Sequence, residues 1–157
     1  MPSSIIQLGL GSAVGLTSIV IHALATIFVI KLVIFLTRIK FRAPYLQLII
    51  AMTLTASVLL AAQVLEIAVW SLSYSIIGAI SQDSDDFYFA FVNFTSLGYG
   101  DIIPLAHWHL MGPMTAMNGV MLFGWSTAVL FQVLTISLEE SSVVTRNLRR
   151  SSAQRMS

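Results

Sequence analysis

The residues with the most distinctive chemistry lie together as Ser96-Leu97-Gly98-Tyr99-Gly100-Asp101. What this hexapeptide offers is backbone. Gly98 and Gly100 can take left-handed angles that other residues avoid, so successive carbonyls can turn toward one axis. A stack of carbonyl oxygens can replace the hydration shell of a cation. Ser96 adds a hydroxyl at one end and Asp101 a carboxylate at the other. No catalytic constellation competes with this reading: the chain has no Ser-His-Asp spacing, no paired carboxylates near a base and no phosphate loop. The letters "GLGSAVG" at Gly9–Gly15 imitate a dinucleotide loop, but no strand pattern precedes them.

Such a segment needs a setting that explains bare backbone. Of the 157 residues, 57% are hydrophobic and 10% charged. Soluble domains carry about a quarter charged residues, so this chain has too little charge to cover a water-facing surface and is expected to be an integral membrane protein. Net charge is +1, which implies no nucleic-acid partner, and the absence of cysteine excludes disulfides and thiolate metal sites. Crossing a bilayer takes about 20 apolar residues. Ile5–Leu36, with only His22 and Lys31 ionisable, Tyr45–Ile80, with only Glu66, and Pro113–Leu138, with none, all qualify. Phe87–Leu97 is half as long and cannot cross as a helix. The first basic residue is Lys31, so the charged start of a cleavable signal peptide is missing.

The basic residues predict the orientation. Lys31, Arg38, Lys40 and Arg42 close the first span, and Arg146, Arg149, Arg150 and Arg155 follow the third. The positive-inside rule places both clusters in the cytoplasm, with the N-terminus and the acidic segment Asp83, Asp85, Asp86 and Asp101 outside. Pro44 predicts a break between the first two spans at Ala43. The Ser-rich basic tail 141–157 is expected to be disordered or to lie on the membrane surface, against anionic lipid.

Asp83–Asp86 can cap a short helix over 85–96. From Asp86 to Ser96 that helix descends about 16 Å, half of the hydrocarbon core. Five extended residues, 96–100, climb back through about the same height. This is a re-entrant loop, and nonhelical backbone at that depth must be surrounded by protein or line a wet cavity. One copy cannot surround itself, so several copies are expected to meet around the segment. The helix C-terminus, with about half a negative charge, then favours a cation.

"DFYFAFVNFTSLGYGDIIP" resembles the pore loop of potassium channels, whose usual core is Thr-Val-Gly-Tyr-Gly-Asp; Gly98, Tyr99, Gly100 and Asp101 match it unchanged. "NGVMLFGWSTAVLF" resembles the inner helix of small bacterial members. The resemblance covers roughly residues 45–140 and implies an all-α, four-fold symmetric homotetramer in the bacterial plasma membrane. It implies an outer helix 45–80, a pore helix 85–96, a filter 96–100 and an inner helix 113–138, with helix 5–38 an addition. K⁺ would be the permeant ion, held by Ser96, Leu97, Gly98, Tyr99 and Gly100, and no cofactor is implied. Ser96 replaces Thr, keeping the hydroxyl and losing the methyl; Leu97 replaces Val. Tyr88-Phe89 stand where the family has tryptophans, leaving Tyr88 alone able to donate toward Asp101 or Tyr99. Val92 stands where some bacterial members carry a carboxylate behind the filter. A nonselective cation channel and a nonconducting subunit with a pore-like fold are the alternatives.

Other residues carry competing readings. Gly119 and Gly124 are either bending points for a gate or sites of close helix packing, and Gly11 and Gly15 form a GxxxG that can let helices approach closely. Glu66, about 30 Å along its span, is expected near the outer interface, either holding the short helix or solvated. His22 is expected to face neighbouring helices as a neutral structural group, and Lys31 to snorkel. His107-Trp108-His109 reads as an interfacial aromatic between polar anchors, against a metal pair or a pH sensor. The glycosylation triplet at Asn93 falls inside the short helix and reads as accidental. No span carries arginines at every third position, so voltage sensing is not expected, and the tail is too short to fold as a ligand-sensing domain.

Overall fold

The computed structural model describes residues 4–39, 44–81 and 83–154, with side chains described through residue 139. The described residues form four helices: α1 (Ser4–Thr37), α2 (Pro44–Ile77), α3 (Asp86–Phe94) and α4 (Met111–Gln154). No strand occurs among the described residues. Three helical segments are long and apolar enough to cross a membrane: Ser4–Thr37, Tyr45–Ile77 and Met111–Glu139. At 34 residues each, α1 and α2 span about 51 Å, more than the hydrocarbon core requires, so they must tilt or project. The expected break at Ala43, together with Lys40, Arg42 and Arg155, lies outside the described residues.

Contacts at the helix ends set the topology. At one end the Leu110 amide donates to Gln7 Oε1 at 3.1 Å, which ties the start of α1 to the start of α4. At the other, Gln47 Nε2 donates to the Leu36 carbonyl at 3.2 Å, joining the end of α1 to the start of α2. The three long helices therefore run alternately up and down. Between them lie two apolar clusters. One gathers Ile67, Trp70, Tyr74, Phe89, Phe94, Trp108, Met111 and Leu122, and so seats α3 between α2 and α4. The other, toward the far end, joins Val29, Val33 and Leu36 of α1 to Ala51 and Leu59 of α2 and Val133 of α4.

Two ends differ from the sequence expectation. α2 stops at Ile77 rather than at residue 80, because Gly78 turns left-handed (φ 59°). The Gly78 amide then reaches Ser75 O and the Ala79 amide reaches Tyr74 O at 3.0 Å, a glycine C-cap that satisfies the last carbonyls. α4 begins at Met111 and runs through the basic tail to Gln154, where a disordered or surface-lying end was expected. Neither glycine nor proline occurs after Gly124, so nothing in the backbone interrupts the helix.

Candidate functional site

The short helix is closed at both ends by local chemistry. Asp85 Oδ1 accepts from the amides of Phe87 (2.9 Å) and Tyr88 (3.1 Å), satisfying two otherwise unpaired donors. At the other end the Ser96 amide reaches Asn93 O and the Leu97 amide reaches Val92 O, both at 2.9 Å. That paired pattern requires a left-handed residue at its centre, and Ser96 supplies it with φ 58°. No other non-glycine residue among those described has a positive φ. Left-handed geometry costs a residue with a Cβ about 1–2 kcal/mol, so the helix ends here under local strain. The expected helix 85–96 is thus Asp86–Phe94 with Asp85 and Thr95 as its caps.

Beyond Ser96 the chain alternates. Leu97 and Tyr99 keep negative φ, while Gly98 (58°) and Gly100 (76°) are left-handed. In a uniform extended strand successive carbonyls point to opposite sides; reversing every second residue turns them toward the same side. Gly98, Tyr99 and Gly100 make no backbone–backbone hydrogen bond among the described residues. Leu97 and Tyr99 are 55% and 68% exposed, so one chain alone does not cover the segment. The excursion also returns to where it began: the Leu105 amide donates to Ala79 O at 2.8 Å. The chain therefore leaves the end of α2, runs through α3 and the glycine segment, and comes back to the same level before α4.

Several side chains brace this segment. The Tyr88 hydroxyl donates to Asp101 Oδ2 at 2.8 Å. This bond to a carboxylate, more than the local burial or the charges of Asp101 and Tyr99, holds the Tyr88 phenol above its ordinary pKa of 10.0. Asp101 Oδ1 also accepts from the Ile102 amide. A cleft of about 240 Å³ lies behind the glycine segment, lined among others by Tyr88, Val92, Gly98, Asp101 and His109. On the other side α4 presses against the end of α3. A Cβ on Gly119 would lie 1.9 Å from the Phe94 carbonyl oxygen, whereas one on Gly124 would meet nothing within 4 Å. Close packing is therefore what Gly119 provides, and Gly124 sits in open space. Tyr74, bonded to Thr115, and Trp70, whose Nε1 donates to Asn118 Oδ1 at 3.1 Å, tie α2 to this part of α4.

Sequence reasoning missed a buried polar chain through the three long helices. Gln63 Nε2 donates to Ser126 Oγ (3.1 Å), Ser126 Oγ pairs with His22 Nε2 (3.3 Å), and His22 Nδ1 pairs with Glu66 Oε1 (2.9 Å). His22 and Glu66 are fully buried. Glu66 was expected to be either solvated or holding the short helix; instead it is buried against His22 of α1. The Ser-His-Glu order imitates a hydrolytic triad. Ser126, however, lies inside α4, where helical bonding consumes the amides an oxyanion hole would need. Trp108 is buried in the α2–α3–α4 cluster, in a turn where its amide donates to Leu105 O at 2.7 Å and the Met111 amide donates to its carbonyl at 3.1 Å. Lys31 is exposed, as snorkelling requires. Asn93 is engaged within α3, its Nδ2 donating to Phe89 O at 2.8 Å. The described residues hold no group of three or more His, Cys, Asp or Glu able to bind a metal ion.

A family model described as ion channel matches residues 49–136. The match starts inside α2 and ends inside α4, taking in α3, the glycine segment and the return loop, and leaving α1 outside. No curated protein and no solved structure shows significant similarity to the chain. Since the match covers more than half of a chain that carries three helices able to cross a membrane, this protein belongs to the ion channel family.

Proposed function

We propose that the protein is a potassium-selective channel that conducts K⁺ passively through a filter of backbone carbonyls, as a homotetramer around a four-fold axis. In this reading the pore domain is residues 45–140. α2 is the outer helix, α3 the pore helix, Ser96–Gly100 the filter and α4 the inner helix. The observation that carries the reading is the alternation of left-handed φ at Ser96, Gly98 and Gly100, with Gly98, Tyr99 and Gly100 making no backbone–backbone hydrogen bond among the described residues. A ring of such segments gathers one carbonyl level per residue per chain, the ligand chemistry a dehydrated K⁺ needs. The exposure of Leu97 and Tyr99 supports the tetramer, since membrane-depth backbone must be enclosed by protein. The Ser96 hydroxyl completes the innermost level. Asp101 and Tyr88 brace the outer end, and Val92 fills an apolar wall of the cleft behind it. The Phe94 end of α3 aims its partial negative charge at the cavity, favouring a cation.

The charge distribution supports an orientation with the N-terminus outside and the C-terminus cytoplasmic, and the resemblance to small bacterial members supports a bacterial plasma membrane. No cofactor and no nucleic acid take part; the partners are K⁺, lipid and three further copies of the chain. The test is K⁺ flux into liposomes containing the purified protein, with Gly98→Ala alongside. Gly98 has φ 58°, and a Cβ there adds about 1–2 kcal/mol of strain per chain at the carbonyl ring itself. Wild-type flux, and its loss in Gly98→Ala with tetramers intact, is the expected result. A wild-type protein that stays monomeric and passes no ions would instead be a nonconducting subunit.

A further inference from the structure

α1 lies outside the matched family segment, yet it is fastened to α4 on both sides of Gly124. Toward the N-terminal end of α4, the Leu110 amide binds Gln7, Asn118 Nδ2 reaches Gly15 O at 3.4 Å, and Met114 packs so tightly on Gly11 that a Cβ there would lie 2.5 Å from its sulfur. Beyond Gly124, Ser126 pairs with His22, and Val29 and Val33 pack with Val133. A Cβ on Gly124 would meet nothing within 4 Å, and Gly124 is the last glycine in the chain, so the slack point of α4 is bridged by another helix. In the lower fastening, Gln63 Nε2 donates to Ser126 Oγ, Ser126 Oγ pairs with His22 Nε2, and His22 Nδ1 pairs with Glu66 Oε1, so both ring nitrogens are engaged, with the donors set by the histidine tautomer. α2 thereby holds α1 while α1 holds α4.

We propose that α1 is a splint that restrains bending of α4 at Gly124, with the Ser126–His22 bond as its lower fastening and His22 as a positioning residue held by Glu66. In this structure α4 is an unbroken helix through Gly124, the conformation the splint favours. Releasing the bond populates the bent conformation. A lost side-chain bond between membrane helices shifts such an equilibrium by about three-fold per protomer. The proposal rests on the channel reading for its consequence, a change in open probability, and on the assembly of copies for the distance measurement, but the bend is measurable whether or not the pore selects K⁺.

The chain has no cysteine, so one introduced cysteine carries a spin label without background. Leu138→Cys, beyond Gly124, and Met117→Cys, before it, are both at exposed positions. Inter-protomer distances are measured by pulsed electron resonance in liposomes, in otherwise unaltered chains and with Ser126→Ala. The expected result is a broadened or two-component distribution at position 138, an unchanged one at position 117, and recovery of the original distribution with Ser126→Thr, which keeps the hydroxyl. His22→Phe, whose ring carries no nitrogen, provides a second release of the same bond. An unchanged distribution at 138 in both variants overturns the proposal; so does equal broadening at 117, which would mark general loosening. In unlabelled protein, open probability is expected to shift about three-fold or more while the reversal potential stays where it was. A reversal potential without K⁺ preference in the wild type would sink the channel reading and leave the distance result standing on its own.

Discussion

Gly119→Ala tests whether α4 sets the position of the α3 end of the proposed filter. The added methyl would lie 1.9 Å from the Phe94 carbonyl oxygen, 2.8 Å from its carbonyl carbon and 3.2 Å from its Cα. Carbon contacts settle near about 3.5 Å, so backbone must retreat by about 1.5 Å; no rotamer change can absorb it. Phe94 is poorly placed to yield. Its side chain is fully buried against Phe123, and Ser96, two residues on, is already held left-handed by the cap of α3. Overpacking of this kind costs about 3 kcal/mol at the upper end of its range, and the gain in helix propensity from glycine to alanine returns about 1 kcal/mol. A net loss of about 2 kcal/mol per chain is expected. Gly124→Ala is the internal control: with nothing within 4 Å, it should gain about 1 kcal/mol. Thermal unfolding of the purified protein reads the stabilities, and K⁺ flux in liposomes reads the filter. Gly119→Ala should melt lower and conduct less, and Gly124→Ala should melt higher. If the two variants melt together, or Gly119→Ala conducts as wild type, the tight α3–α4 contact does not govern the filter.

Other outcomes follow from the same geometry. Ser96→Gly relieves a left-handed Cβ and should raise stability by about 1 kcal/mol while lowering K⁺ flux, because the innermost hydroxyl is removed; a rise in both would separate that hydroxyl from ion binding. The Tyr88 phenol is raised above 10.0 by its bond to Asp101. Its stabilising contribution is therefore complete below pH 10 and lost as pH rises through the elevated folded value. Flux should be flat between about pH 7 and 9, and a decline above about pH 10 should be absent in Tyr88→Phe, measured with the external solution alone titrated.

Much of the segment between α2 and α4 was legible because its signals are local. Asp85 as a cap, the half-length apolar run after it and the glycines at 98 and 100 each act within a few residues, and the spans follow from hydropathy alone. The end of α2 was readable in principle: Gly78 follows a long helical pattern and is the usual terminator. Ser96 was harder, since a left-handed serine has no sequence signature and arises because the Leu97 and Ser96 amides must satisfy the last carbonyls of α3. The roles of Gly119 and Gly124 could not be separated by type; only the distance to Phe94 does so.

The polar chain was illegible for a different reason. His22, Glu66 and Ser126 are 44 and 60 positions apart along the chain, and each looks ordinary in its own helix. Treating Glu66 by its height along α2 placed it near an interface, while the determining fact was the neighbour it buries against. An intramembrane carboxylate is costly alone, so two ionisable residues near the middle of adjacent spans were a usable hint that they meet.

The central claim is that carbonyls of Ser96–Gly100 select a dehydrated K⁺, and the reversal potential of the purified protein in planar bilayers tests it most directly. With KCl on one side and an equal concentration of NaCl on the other, the current should reverse far from zero, on the side set by K⁺ alone. Reversal near zero would mean that Na⁺ passes as readily, and would contradict the account.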